Sequence, residues 1–535
     1  MMKKRWMMPL LMVMAVVVLV FAILPYWFGI RTEKTMRSHQ HLLEQNGVVE
    51  VVKYDYERGW FDSTETTVLR FRPNLVQKLG GNVPDNLKAI INEPFTITNH
   101  IKHGPFAGGI TPVKAVSTSD VAFSPRAKQS LERFFRSQVP LTVKNRLNLF
   151  GGGVMKLQVP AFQYEELSGI AIDWKGLDVE LDYSDNYDSY EVKSHSGGIN
   201  VKLADKGQLT LENLDYTGNS KQNSSGLNVG SNEFKVAKAM MAWSEGVDYN
   251  IKLNSIINMM SDLQIGAFIN PTGTVAPNNI AVNNFSLQRS TDEKDGFANA
   301  EALIHFDQLH YGKDVYGPLN VKASAEHLHA AALVKMNDGF FRLSNTKLDE
   351  TQYRDALLKL AKTEGLPIFT NNPVFKISQF DLKMPDGQLK FTAEFGFKGL
   401  QAADMETFNA LMAKTEAKVH VNAPQVLLEN LAVAQADSIF SVDPDVENPP
   451  SMDEVRDTAR MLVRSTINNM ASAGYLTQQN GIVDSEMVVK NNELLLNGKR
   501  FETAPQQNID DLMEEDAAAS DVQAASAPAT ASAAK

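Results

Sequence analysis

The chain is 535 residues long, 43% hydrophobic and 21% charged, the composition of a folded protein with room for more than one core. A net charge of −11 without a basic stripe argues against nucleic acid as a partner. The lack of any cysteine excludes disulfides, thiol catalysis and cysteine-ligated zinc or iron–sulfur centres.

The first predicted element is a membrane anchor. From Met7 to Ile30 no residue is charged, and Met7–Leu24 is strongly apolar. At about 1.5 Å per residue, roughly 24 residues reach about 36 Å, enough to cross a bilayer core with some tilt. Lys3, Lys4 and Arg5 precede this run, as they would in a signal peptide. The exit through Leu24-Pro25-Tyr26-Trp27-Phe28 offers no small residues for cleavage, which favours an uncleaved anchor. Tyr26 and Trp27 stand where an interfacial aromatic belt would place them. Arg31, Lys34 and Arg37 balance the N-terminal cations, so the charge bias is weak. Translocating the large body with a cytoplasmic N-terminus is the simpler topology. The expected order is a cytoplasmic stub over 1–6, the anchor over 7–30, a β-rich region over 31–240, an α+β region over 241–502 and a disordered acidic, Ala-rich tail over 503–535.

Beyond the anchor, Lys34–Gln45 has helical composition and is read as leading away from the membrane. Val48–Tyr56 and Ser63–Phe71 alternate as strands around Glu57-Arg58-Gly59-Trp60-Phe61-Asp62, a hairpin with an aromatic tip. Phe95–Ile101 is a strand ending at His103-Gly104-Pro105-Phe106. Ser124-Pro125 starts a helix with Ala127, Leu131, Phe134 and Phe135 on one face. From Leu141 to Lys238 period two dominates, as in Ile170-x-Ile172-x-Trp174, Leu177-x-Val179-x-Leu181 and Ile199-x-Val201-x-Leu203. Short alternating strands with tight connections predict an antiparallel meander. Later, Phe297–Leu309 and Leu319–Ala325 read as strands. Asp349–Thr363 reads as a helix stopped at Gly365, and Val374–Met384 with Gln388–Phe397 as a hairpin turning at Pro385-Asp386-Gly387. Helices follow around Phe408–Met412 and Pro424–Ala434, with Lys418–Asn422 a strand between them. Ser451 and Glu454 fit a capping box for a helix ended by Gly474, and Val483–Val489 with Glu493–Leu496 close the ordered chain. The fold class is therefore α+β and β-rich: one transmembrane helix, then an elongated, mostly antiparallel twisted sheet partly covered by helices.

Three local sequences together resemble the YdgA-like family of bacterial envelope proteins over roughly 1–501. They are Tyr56-Glu57-Arg58-Gly59-Trp60-Phe61, His103-Gly104-Pro105-Phe106 and Leu494-Leu495-Leu496-Asn497-Gly498-Lys499. The resemblance implies an inner-membrane protein of a Gram-negative cell with a periplasmic, self-associating body, and it lends no reaction. Strands such as Gly207-Gln208-Leu209-Thr210-Leu211 and Gly387-Gln388-Leu389-Lys390-Phe391 are more loosely similar to AsmA-like envelope proteins, whose architecture is associated with lipid-conveying grooves.

The candidate interaction and structural residues are Arg58, Gly59, Trp60, Phe61, His103, Gly104 and Pro105. The hairpin tip reads first as a structural corner, with Gly59 supplying the turn and Trp60 packing down on the sheet; contact with lipid headgroups or a partner is the alternative. His103 reads as part of a fixed turn, since no serine elbow, Walker loop, His-Glu-x-x-His or dinucleotide fingerprint accompanies it. Adjacent Glu165 and Glu166 point apart on a strand and make poor acid–base partners. Among the 10 histidines, His305, His310, His327 and His329 near Asp307 and Glu326 are the only metal-like grouping, and they read as exposed strand histidines. His39 and His41 read as a solvated helix face. No catalytic residue, cofactor or metal is expected. The apolar strand faces carry most functional content: uncovered, they form a groove for lipid. The expected function is a non-catalytic, anchored periplasmic protein contacting the bilayer through 7–30 and binding or conveying phospholipid. The alternative is a self-associating scaffold, a homo-oligomer.

Overall fold

The computed structural model describes residues 19–45, 49–72, 92–185, 187–244, 278–344, 348–439 and 451–501, with isolated positions between 12 and 17 and at 346. Residues 7–11, 13, 15 and 18 of the expected anchor and all of the tail 503–535 lie outside the described residues. Among the described residues, no helix is long and apolar enough to cross a membrane. The chain divides into two compact units. The first comprises 1–291, 304–317 and 341–348, and the second 292–303, 318–340 and 349–535.

The first unit opens with helix α1 (Leu24–Gln45), preceded by a wider turn at Leu19–Ile23. Its strands are β1 (Val49–Arg58), β2 (Asp62–Phe71), β3 (Phe95–His103) and β4 (Ala115–Ala122), then, after helix α2 (Pro125–Phe135), β5 (Thr142–Leu147), β6 (Gly153–Val159), β7 (Phe162–Glu165), β8 (Ile170–Trp174), β9 (Leu177–Tyr183), β10 (Ser189–Leu203), β11 (Gly207–Gln222), β12 (Asn228–Trp243) and β13 (Asn279–Lys294). They pair antiparallel in the order β1-β2-β3-β4-β5-β6-β9-β10-β11-β12-β13. This is the open meander that the period-two runs predict. Strand β10 is long enough to serve two neighbours. Tyr190–Ser196 pairs with β9 and Ile199–Leu203 with β8, the change falling at Gly197-Gly198.

That change of neighbour continues across the sheet. Pairing skips Gly197 opposite Asn213, and Asn213 opposite Ala237. It skips Ala237 opposite Asn284 in the next pair. Gly198 has φ +109, and Asn213 and Asn284 have φ of 47 and 51, left-handed values that break the pleat. A crease therefore runs across β10–β13.

In the second unit, β14 (Phe297–Phe306) is counted to residue 303. It pairs with β17 (Leu319–His329), and the sheet continues through β18 (Val374–Met384), β19 (Gly387–Phe397), β20 (Thr415–Pro424), β22 (Ile482–Lys490), β23 (Glu493–Leu496) and β24 (Lys499–Phe501). The short strands β15 (Gln308–Tyr311) and β16 (Asp314–Tyr316) belong to the first unit, and β21 (Thr477–Gln479) flanks β22. The expected strand Phe297–Leu309 is thus broken at Asp307. Helix α3 (Ala330–Ser344) has no counterpart in the sequence reading; its Asn337-Asp338-Gly339 carries a turn signal. Gly339 is needed for packing, since a Cβ there would lie 2.4 Å from Leu360 Cδ1.

Helix α4 (Glu350–Leu360) starts at the Asp349 cap. It does not stop at Gly365. The chain continues through a wide turn, Ala361–Gly365, into α5 (Leu366–Thr370), because Gly365 keeps right-handed backbone. Helix α6 (Phe408–Lys414) leads into β20. Helices α7 (Gln425–Ile439) and α8 (Met452–Ala473) pack on each other, and α8 has both predicted ends, the Ser451–Glu454 capping box and left-handed Gly474. Ile467 of α8 meets Leu476 and Val483 in the core of this unit. The third motif lies beside that core. Asn497 (φ 46) and Gly498 (φ 76) form the tight turn, and Lys499 Nζ donates to the Ala473 carbonyl, 2.8 Å, at the end of α8.

Candidate functional site

The first two motifs converge on the foot of α1. The β1–β2 hairpin and the end of β3 are neighbours, so the backbone N–H of His103 donates to the Phe61 carbonyl at 2.9 Å. Gly59 closes the hairpin through its N–H to the Asp62 carbonyl, 2.8 Å. The His103 ring is buried and held at both nitrogens. Nδ1 lies 2.8 Å from the Pro25 carbonyl oxygen and Nε2 3.2 Å from Ser63 Oγ. A carbonyl can only accept, so Nδ1 carries a proton and donates to it. Gly29 lies flat on this ring: a Cβ there would be 2.7 Å from His103 Cε1. Gly104, with φ +130, brings its backbone against Pro25. His103-Gly104-Pro105 leads from β3 into a turn in which the Gly104 N–H donates to the Lys114 carbonyl at 3.0 Å, and the helix packs against it.

The outer rim of this seat is aromatic and ionic. Tyr26 packs on Trp60, ring centroids 4.8 Å apart, and Phe21 stacks on Phe106 at 5.7 Å. Arg58 donates to Glu33 at 2.8 Å, and Arg37 to the same carboxylate at 3.0 Å; the Arg58 guanidinium also lies 5.5 Å over the Tyr26 ring. The structural-corner reading needs correcting at Trp60, which turns outward onto the helix and stays 51% exposed, with Phe61 at 55%. Lys34–Gln45 is helical, as expected, and it does not stand free of the sheet. It is the second half of α1, which lies on β1, β3 and β4.

Beneath α1 the covered sheet face is mixed, with a polar row beside an apolar core. On β2 the buried residues are Ser63, Glu65, Thr67 and Leu69. Asn99 of β3 donates to Glu65, and Ser119 of β4 donates to Asn99, a hydrogen-bonded row across three strands. Burial pushes the Glu65 carboxyl upward, opposed by the Asn99 hydrogen bond. Lys114 Nζ donates to Thr35 Oγ1 at 3.0 Å and lies 3.7 Å from Asp185; burial lowers its pKa, and Asp185 counters this. Burial also raises the Tyr56 phenol to about 12.

His39 is not on a solvated face. It meets Tyr183 and Tyr187 edge-on at 5.5 and 4.8 Å, and burial, then the Lys114 charge, pulls its pKa down to about 4. The side chain of His41 lies outside the described residues. A small apolar core, Met36 with Ile101, Ala115 and Leu147, completes the seat. Sequence reasoning missed these partners. The inward alternation Ser63-x-Glu65-x-Thr67 was the one available signal of a polar row on the covered face.

An apolar concavity lies at the crease. Its volume is about 230 Å³, and its wall includes Trp174, Leu177, Ile199, Leu211, Leu214 and Phe234. The described helices of this unit pack elsewhere, α1 on β1, β3 and β4 and α2 on β7. The other histidines do not converge. His305 bonds Asp307 at 3.0 Å, while His327 stacks on Phe297 at 3.8 Å and bonds the Asn371 carbonyl. Among the described residues no group of three or more potential ligands could hold a metal ion.

One family model matches residues 2–504, described as a bacterial protein of unknown function (DUF945). The chain belongs to this DUF945 family. The match covers both units and includes all three motifs. No curated protein and no solved structure matches the chain.

Proposed function

We propose that this DUF945 protein is a non-catalytic, single-pass protein of the bacterial inner membrane, with its N-terminus in the cytoplasm and its β-rich body in the periplasm, as the YdgA-like resemblance implies. We further propose that it binds phospholipid through an acyl chain. The observation that carries the reading is the apolar concavity at the crease of β10–β12, in the same unit whose seat grips the chain where its apolar run ends. Walls of Leu, Ile, Trp and Phe reward burial of hydrocarbon at about 25 cal/mol per Å², and Ser194, Ser196, Asp215 and Tyr216 also line the concavity. Anchoring keeps such a site beside the membrane that supplies its ligand.

The test uses the full chain, delipidated in detergent and exposed to a phosphatidylethanolamine with a photoreactive acyl chain. Labelling concentrated on peptides holding Trp174, Leu211 and Phe234, and lost in Leu211→Asp, supports the reading. No labelling, or labelling spread evenly over the surface, overturns it. A second reading, self-association, rests on Leu431, Met461 and Leu462, exposed by 58%, 65% and 63% on the paired helices α7 and α8. A concentration-dependent dimer abolished by Met461→Ser with Leu462→Ser would favour it, and a strict monomer would remove it.

A further inference from the structure

We propose that the tips around the foot of α1 form a second membrane contact, with Trp60, Phe61, Phe106 and Ile110 seated in the interfacial layer of the bilayer that the anchor leaves. This rests on the anchor reading above.

The depth follows from the helix. Counting from Met7 at about 1.5 Å per residue, a hydrocarbon core of about 30 Å is crossed near residue 26. The two loops pack on the helix around that level: Trp60 on Tyr26, and Phe106 on Phe21, about 7.5 Å deeper along the helix axis. A helix leaving the bilayer there brings both loops to its surface.

Their chemistry suits that position. Trp60, Phe61 and Phe106 are 51%, 55% and 51% exposed, and Ile110 is 98% exposed. Water penalises such side chains, whereas the interface favours aromatic rings with apolar neighbours. From Gly104 to Val113 the loop carries no charged residue, so nothing in it resists entry into the headgroup layer. The cations lie one step further out. Arg58 is bound to Glu33, and Arg31 sits 4.7 Å over the Trp27 ring, both within reach of headgroup phosphates. Trp27 and Ile30 on the helix, 46% and 43% exposed, continue the same apolar surface. That continuity with the anchor favours lipid over a protein as its occupant. The collar fixes the attitude of the first unit to the membrane, which a single helix on a free linker would not do.

The cysteine-free chain allows a direct test. Ile110→Cys in the full chain is labelled with a polarity-sensitive fluorophore and placed in phosphatidylethanolamine/phosphatidylglycerol nanodiscs carrying nitroxides at the headgroup or deep in the acyl chain. Met14→Cys reports on the anchor. Leu167→Cys, on a fully exposed turn at the far end of β10, reports on the aqueous body. The expected result is a blue-shifted Ile110 probe quenched at least twofold more by shallow than by deep nitroxide, deep quenching at Met14 and none at Leu167. An Ile110 probe that is unquenched while Met14 is quenched overturns the collar and leaves the anchor standing, as does an Ile110 probe shielded from water but not quenched by lipid. An unquenched Met14 probe overturns both. Phe61→Cys provides a second position with the same expectations.

Discussion

Substituting Gly29 by alanine tests the seat where it is tightest. Alanine is the better helix former by about 1 kcal/mol, so at a free helix position the change would stabilise. Here the new Cβ would stand 2.7 Å from His103 Cε1 and 3.0 Å from Nε2. The ring cannot swing aside without losing the Pro25 carbonyl at 2.8 Å and the Ser63 hydroxyl at 3.2 Å. Two buried hydrogen bonds at about 1 kcal/mol each, with an overpacking cost of about 1–3 kcal/mol, predict a net weakening of roughly 2–4 kcal/mol. The assay is amide hydrogen exchange of α1 in nanodiscs, where that loss appears as roughly 30- to 1,000-fold faster exchange if opening limits the signal. The mechanism predicts strong non-additivity. In a His103→Ala background the obstacle is gone, and Gly29→Ala should be neutral or protective. An equal cost in both backgrounds, or no cost in either, would refute the argument that His103 holds the helix through Gly29.

Acid should loosen the same helix at its other end. His39 is held at about 4 in the fold against an ordinary 6.5, chiefly by burial and then by Lys114. Asp185 opposes this, and Tyr183 and Tyr187 wall the ring. The unfolded chain therefore binds the proton more readily: stability is full above pH 6.5 and falls as pH drops towards 4, by an integrated loss of about 3 kcal/mol. Exchange of residues 35–45 measured against pH should show it, and His39→Leu should flatten the profile. Gly198→Ala should disorder the crease, because its φ is +109 and a Cβ would stand 1.9 Å from the Leu211 carbonyl oxygen. The outcome is lost protection in β10 and β11 and lost lipid labelling, with α7 and α8 unaffected; unchanged exchange at Leu211 would count against it. Ser451→Ala removes the hydroxyl that accepts from the Glu454 N–H, one half of the capping box of α8, and should cost about 1 kcal/mol, read as fraying of the first turn in exchange.

Local signals were strong where the physics is local. Alternation predicts the strands of β9–β12 because successive side chains of a strand point to opposite faces. Ser124-Pro125, Ser451-x-x-Glu454, Gly474 and Pro385-Asp386-Gly387 predict their caps and turn because hydrogen bonds and backbone angles within a few residues decide them. The same locality misplaced Gly365, where packing under Met336 keeps the backbone helical and the chain runs on to Thr370. Arg58, Trp60 and His103 could be singled out in the sequence as unusual, but their purpose could not. Pro25 is 78 residues from His103, and only folding the sheet brings a carbonyl, a serine and a glycine around one imidazole. The apolar run, the cysteine-free composition and the strand pattern were thus settled by the sequence alone, since composition and periodicity need no partner. The seat of α1, its polar row and the crease were decided by tertiary structure, since each depends on groups that meet only across strands.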